Sequence, residues 1–264
     1  MRTLRGERSE IGGPEIGKAD LHMHTSFSDG MGSAQEMFDW VEAHADLDVI
    51  AITDHDSIAG AMAAREVWSR GNYRFDFVPG VEVTTIEGHL LALFVDEPLP
   101  NLCRVEVAIE AVRKQGGICI AAHPMNPLTR SLGAKELRRL ARKTDGTHLD
   151  GIEEANCSPG SRWGRKKAVA LNNAELGLAK VGGSDAHFPE FAGGAYTTFE
   201  GTTAAELKSA ILARETQARD GHPPGYMQIG PRRLAHQTWR GIMTTPRAMG
   251  WGPTTRSFVR RVFG

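Results

Sequence analysis

The sequence predicts an α/β fold of the barrel kind, with helices outside a mostly parallel sheet. Three observations carry this expectation. Short apolar runs that end in polar residues alternate with helical patterns from Ala19 to about Arg214. That alternation builds a parallel sheet covered by helices. Seven or eight such units suit a closed or nearly closed barrel, with an open doubly wound sheet as the alternative. The chain has 264 residues, 41% hydrophobic and 24% charged, which is ordinary globular composition and enough to bury one large core.

Taken in order, the first strand is ADLHMHT (19–25), followed by the helix SAQEMFDWVEAHA with Ser33 as its N-cap. DVIAITDH (48–55) is the second strand, and a helix runs from Ser57 through Trp68. FDFVPGVEVTT (75–85) is the third, joined by a tight connection at Glu87-Gly88 to HLLALFV (89–95). A helix over 102–115, strand GICIAAHP (117–124), a helix over 134–143 and strand LDGIEEAN (149–156) follow. A helix over 164–176 leads to strand LAKVGGSDAH (178–187), then AYTTFEG (195–201) and a last helix from Thr203 to Ala213.

Three domains of different character are expected: a lead-in over 1–18, the barrel over 19–218, and an arm over 219–264. The arm contains Gly-Pro breakers and no long periodicity, but scattered large apolar residues suggest that it packs on the barrel or on a second subunit. Its eight arginines and one aspartate give it +7, against −8 for the remainder, so the net charge of −1 hides two oppositely charged parts. The arginines are expected to pair with the acidic remainder rather than to bind nucleic acid or a membrane.

The near-neutral total argues against a uniformly basic nucleic-acid binder. The three cysteines (Cys103, Cys119, Cys157) have no short spacing, so neither a disulfide framework nor a zinc–thiolate module is expected, and a reducing, cytoplasmic setting fits. The polar N-terminus has no apolar signal region. No stretch approaches the ~20 apolar residues of a membrane span.

The chemistry lies at the strand ends. His22 and His24 end the first strand, where residues two apart point the same way. Asp29 follows in SFSDG, Asp54 and His55 end the second strand, and Glu82 lies in the third. His89 opens the fourth strand, His123 ends the fifth, and Asp185 and His187 end the seventh. Each fragment alone has a bland explanation: a chance HxH, a capping Asp, a satisfied core histidine. Six of the ten histidines and four carboxylates at or near strand ends, in six different units, do not. Strand C-termini in such folds converge on one face, and nitrogen and carboxylate ligands without thiolates suit zinc, manganese or iron.

The order HxH, SDG, TDH, GxE, H, AHP, GSDAH resembles the PHP (polymerase and histidinol phosphatase) family over about Ala19 to Ala213. The resemblance implies a distorted seven-stranded β/α barrel, TIM-barrel-like, with a trinuclear metal centre. His22, His24, Glu82 and Asp185 would hold the first metal. Glu82 would bridge to a second, also held by His89 and His123. Asp29, His55 and His187 would hold a third. The short spacing from Glu82 to His89 departs from the family pattern, and a His89 facing outward would leave a binuclear site. The implied activity is a metal-dependent phosphoric ester hydrolase, a phosphatase or phosphodiesterase. A hydroxide bridging two metals would attack the phosphorus of a small phosphorylated substrate, a phosphate monoester or a nucleotide.

Glu82, Asp185 and His187 are the catalytic candidates, and Asp54 is expected to orient an imidazole or to cap the helix after it. Arg130 and Arg162 are the preferred phosphate clamps, because arginine offers a bidentate fork. Asn156, in the GIEEAN segment that resembles one in small members of the family, is a candidate substrate contact, whereas Glu153 reads equally as part of the site or as buried structure. Competing readings are an exonuclease, an ester or carbamate hydrolase on the same metals, and a metal-stabilised accessory module. The partners expected are a small phosphorylated substrate and, through the arm, a second subunit.

Overall fold

The expected alternation is present in the computed structural model, which describes residues 14–248. The first half runs β1 (Ile16–Asp20), α1 (Ala34–His44), β2 (Val49–Ile52), α2 (Ala59–Arg70), β3 (Asp76–Thr84) and β4 (His89–Leu93). The second half runs α3 (Val105–Lys114), β5 (Ile118–Ala121), α4 (Ala134–Ala141), β6 (Gly151–Asn156), α5 (Ser161–Leu171) and β7 (Ala179–Gly183). Then come β8 (Ala195–Glu200), α6 (Ala204–Ala213), β9 (Gln217–Asp220), and two C-terminal helices, α7 (Tyr226–Ile229) and α8 (Pro231–Ala248).

All nine strands form one sheet in the order β7-β6-β5-β4-β3-β2-β1-β8-β9. β1, β2 and β3 pair in parallel, as do β5, β6 and β7. β4 runs antiparallel to both its neighbours. The reason is the short connection after Thr84: a parallel crossover needs a dozen or more residues, whereas a hairpin needs few. The reversal matters for function. The start of β4, not its end, lies at the C-terminal rim of the parallel strands, and Thr84 pairs directly with His89.

The ring is drawn nearly shut between β1 and β7. Met23 and Ala186 form a parallel bridge just beyond the two strands. The Thr197 hydroxyl on β8 accepts from Gly182 N and donates to Gly182 O, both at 2.9 Å. Inside, Leu21, Val49, Leu91, Leu93, Ile120 and Val181 form one fully buried cluster with Leu207 and Ile211 of α6. Each such side chain contributes about 1.5–3 kcal/mol by leaving water. α6 sits at the opposite end from the rim, where Ala204 N donates to Asp76 Oδ2 and Lys208 Nζ to Gly116 O. Capping boxes, Ser33 with Glu36 and Thr203 with Glu206, start α1 and α6. The barrel is thus apolar and plugged below, which leaves the rim as the place for polar side chains.

Two expected boundaries shift. Ile16–Lys18, read as part of the lead-in, pair with β8, and β9 runs across the barrel–arm boundary at 218. The rest of the lead-in, 1–13, and the arm from 249 onward lie outside the described residues. The arm also holds an 18-residue helix where no periodicity was expected. Its Gly230-Pro231 pair starts that helix rather than breaking one, because proline is accommodated at the first helical position.

Candidate metal centre

His22 and His24 lie just beyond β1, and Met23 between them points into the core formed with Phe38 and Ile52. His55 forms a bridge with Glu82 beyond β2. His123 and Asp185 follow β5 and β7 with φ of 27° and 56°, in the left-handed region that side chains other than glycine rarely adopt. Such strain is held only where the surroundings over-determine it, and here it turns both side chains to the centre. His89 faces inward, with Nδ1 2.7 Å from Glu82 Oε1, because β4 is reversed.

Glu82 is fully buried at the middle of the group. Its Oε1 lies 2.9 Å from His123 Nε2, and its Oε2 lies 3.1 Å from His22 Nε2 and 3.3 Å from both His24 Nε2 and His55 Nδ1. Asp185 Oδ1 is 3.2 Å from His24 Nε2, and Asp29 Oδ2 is 3.1 Å from His187 Nε2. All nine residues expected as ligands therefore meet on one floor. Their ligand atoms fall into three compact groups: His22, His24, Glu82, Asp185; His55, Glu82, His89; and His24, Asp29, His55, His187. The sets overlap more than the sequence suggested, since His55 stands beside His89 and His24 reaches the Asp29 group. His123 stays on Glu82 Oε1.

The residues fit metal ions on their own evidence. His24 Nδ1 and Nε2, Asp29 Oδ1, His55 Nδ1 and His89 Nδ1 are buried with no aligned hydrogen-bond partner. Unsatisfied buried polar atoms are costly, and divalent ions would satisfy these. Without ions, charge is balanced by protons. Burial works against a charged His24, but Asp185 and Glu82 outweigh it and raise its pKa to about 10. His22 is likewise held well above its ordinary value, against burial, by Asp185, Glu153 and Glu82. Burial pushes His55 down to about 4. Metal binding to the apo chain must therefore expel protons from His22 and His24. Calorimetry in buffers of different ionisation enthalpy is expected to show proton release. Affinity should keep rising with pH through neutrality instead of levelling off just above ~6.5, the ordinary histidine value.

A supporting layer fixes the ligands. Glu153 Oε1 lies 2.9 Å from His22 Nδ1, and its Oε2 accepts from His123 N at 2.6 Å and Asn156 Nδ2 at 3.0 Å. The next residue, Glu154, beside a bulge in β6, accepts from Asn172 instead. His123 Nδ1 lies 3.0 Å from Ser131 Oγ and 3.1 Å from Thr129 Oγ1. The sequence left Glu153 open and carried no visible signal for Thr129 and Ser131.

Asp54 corrects an expectation. It neither orients an imidazole nor caps α2: its carboxylate accepts from Thr25 N, Thr25 Oγ1 and Ser28 Oγ at 2.8, 2.6 and 2.5 Å. It thereby shapes the loop that carries Asp29. Gly60 makes room for it, since a Cβ there would lie 1.9 Å from Asp54 Oδ2. Gly60→Ala is expected to cost about 1–3 kcal/mol through overpacking, read as a drop of several degrees in Tm.

The substrate candidates are spread out. Arg130 Nη2 donates to Thr85 O and Ile86 O, both at 3.2 Å, so it ties down the hairpin before β4 and does not line the cavity. The hairpin's exposed carbonyls capture the fork that was expected to hold phosphate. Asn156 is turned toward Glu153 and Ser158. Arg162 lines a second cavity, of about 1180 Å³, next to the roughly 250 Å³ cavity over the metal ligands. The two share Cys157, Ser158, Pro159, Phe191 and Tyr226. Tyr226, Leu234 and Gln237, all from the arm, also line the smaller cavity, which the sequence did not indicate. Arg233 of the arm pairs with Glu190 at 2.6 Å.

A barrel whose strand C-termini converge on a histidine–carboxylate floor, above a plugged apolar core, puts a candidate metal-binding site on the face where such barrels carry their active sites. A family model described as PHP-associated matches residues 169–216. An uncharacterized protein of Methanocaldococcus jannaschii is 32% identical over 166 residues, 59% of this chain and 90% of that protein. The 5'-3' exoribonuclease Rnm of Salmonella typhimurium is 36% identical over 102 residues, 36% of this chain and 33% of that enzyme. A two-domain protein from Bacteroides vulgatus, described as containing a predicted PHP-like metal-dependent phosphoesterase, superposes with a TM-score of 0.64 at 21% identity, covering 91% of this chain and 74% of that one. The chain has the PHP-type barrel fold and carries a PHP-associated segment over residues 169–216. No described helix is long and apolar enough to cross a membrane.

Proposed function

We propose that the protein hydrolyses small phosphoesters of nucleotide size, with the phosphoryl group over the metal ligands and the remainder in the adjoining cavity. The observation that carries this is the pair of cavities with a common wall. The smaller, at about 250 Å³, lies just below the usual range for small-ligand pockets and suits one end of a substrate, whereas the larger, at about 1180 Å³, exceeds that range.

His22, His24, Glu82 and Asp185 would hold one ion, Glu82, His89 and His123 a second, and Asp29, His55 and His187 a third. When bound, two or three zinc, manganese or iron ions lower the pKa of coordinated water toward ~7 and neutralise phosphoryl charge. Glu82 orients five imidazoles at once. Asp185 and His187 border the cavity and act chiefly by holding ions beside the leaving oxygen, since metal ligation compromises them as proton-transfer groups. Arg162 and Lys166, on the wall of the larger cavity, offer donors to a second anionic group of the substrate. Arg165, beside them, is paired with Asp220 at 2.5 Å.

A second reading is an exonuclease. It is favoured by the exposed Trp163 on the wall of the open larger cavity, since exposed aromatics stack bases. The test is phosphate or nucleotide release with Mn²⁺ or Zn²⁺ from mononucleotides, a 5′-phosphorylated oligonucleotide and p-nitrophenyl phosphate. Mononucleotides are expected to give the highest kcat/KM, and Arg162→Ala to raise their KM about tenfold, roughly the loss of one charged hydrogen bond. Preference for the oligonucleotide would support the second reading. Equal rates on all three, unaffected by Arg162→Ala, would overturn the larger cavity as a substrate site.

A further inference from the structure

The structure assigns the C-terminal helix α8 a positioning role at the metal centre, confined to the group formed by Asp29, His55 and His187. This rests on reading that group as a metal site. α8 runs along the outside of the loop that carries Asp29. Arg240 Nη2 donates to Ser26 O at 2.8 Å and to Ser28 O at 3.0 Å, so one guanidinium holds two carbonyls of that loop. The next residue, Gly241, lets the helix pass against the ligand itself, since a Cβ there would lie 3.2 Å from Asp29 Oδ2. Gln237 Nε2 lies 3.5 Å from the same oxygen, at the limit of a hydrogen bond.

Two turns before Arg240, the helix holds the other loop. Arg233 forms a two-pronged ion pair with Glu190 at 2.6 and 3.2 Å and lies over the Phe188 ring, 5.0 Å from its centroid. Phe188 directly follows His187. The two loops come from opposite ends of the barrel sequence and meet where His187 Nε2 approaches Asp29 Oδ2. α8 therefore bridges the two segments whose separation sets this ligand group. The hydrogen bonds and ion pairs that Arg233, Gln237 and Arg240 make to the barrel go to Glu190, Asp29, Ser26 and Ser28, so the influence of α8 is directed at one ion. Arg240 and Gln237 are positioning residues: they act through Asp29 and the backbone beside it.

The test uses the full chain, stripped of metal and titrated with Mn²⁺ or Zn²⁺ alone, with bound ions counted by elemental analysis. The unaltered chain is expected to bind three ions. Arg240→Met should keep two at unchanged affinity and hold the third about 10–100-fold more weakly, the usual effect of losing a group that orients a ligand. Arg240→Lys should recover part of that loss, because an ammonium can still reach one carbonyl. Gln237→Leu, which leaves the loop backbone untouched, should weaken the same ion by a smaller factor. Equal weakening of all three ions, no weakening in either variant, no recovery in the lysine variant, or only two ions on the unaltered chain would each overturn the assignment. Because the readout is metal binding, a chain that shows the selective loss yet hydrolyses no nucleotide leaves the assignment standing and removes only the proposed substrate.

Discussion

Glu82→Gln is expected to lower kcat/KM by about 10³-fold or more and to strip more than one metal ion from each chain. The reason is the division of labour between its two oxygens. Oε1 faces His89 and His123, at 2.7 and 2.9 Å, whereas Oε2 faces His22, His24 and His55, at 3.1 to 3.3 Å. A carboxylate can serve cations on both sides. An amide has one neutral acceptor oxygen and one nitrogen that already carries two hydrogens, so one side loses its ligand atom and the other keeps only an uncharged oxygen. The side chain keeps its size, so the barrel should fold, which circular dichroism would verify. Full metal content together with unchanged kcat/KM would show that Glu82 does not bridge.

Glu153→Ala is the second large effect, and it should appear in stability as well as in metal affinity. Glu153 is buried and holds His22 Nδ1, the backbone N–H of His123 and the Asn156 amide. Removing it leaves an imidazole and a backbone donor without their acceptor, at about 3–5 kcal/mol for a broken buried charged contact. For a chain of this size that corresponds to a fall in Tm of roughly 6–20 °C, at about 2–4 °C per kcal/mol. Glu153→Gln retains an acceptor and should recover much of the stability. It should still bind metal about 10–100-fold more weakly, because the tuning of His22 by a carboxylate is lost. A glutamine variant with full metal affinity would reduce Glu153 to a packing role.

Much of the centre was legible in the sequence, and its limits have identifiable causes. The nine candidate ligands are chemically conspicuous: imidazoles and carboxylates at the ends of apolar runs have few other uses there. Their supporting residues are not. Glu153 sits in a strand where a buried glutamate could equally be structural, and only the folded chain shows which way it points. Ser131 and Thr129 read as ordinary loop residues. Arg130 looked like a phosphate clamp because its chemistry suits one, but a guanidinium binds the nearest unsatisfied acceptors, and here those are Thr85 O and Ile86 O. Asp54 was drawn away from its neighbouring histidine in the same manner, by three donors of the 25–28 segment.

The C-terminal arm shows the other limit. Its composition announced a charged segment distinct from the barrel, and one pairing of the general kind expected, Arg233 with Glu190, is present. Where α8 lies could not be read from its residues, because contacts across more than 200 positions leave no local periodicity. By itself the sequence determined the alternating α/β elements, the apolar interior and which side chains are candidates to hold metal. These depend on hydrophobic pattern and side-chain chemistry, which are local properties. Only the tertiary structure decided that β4 runs backward and turns His89 inward, that His24 reaches the Asp29 group, and that α8 lies against Asp29. Those depend on which backbone and side-chain groups satisfy one another across the barrel, and that is settled only when the ring closes.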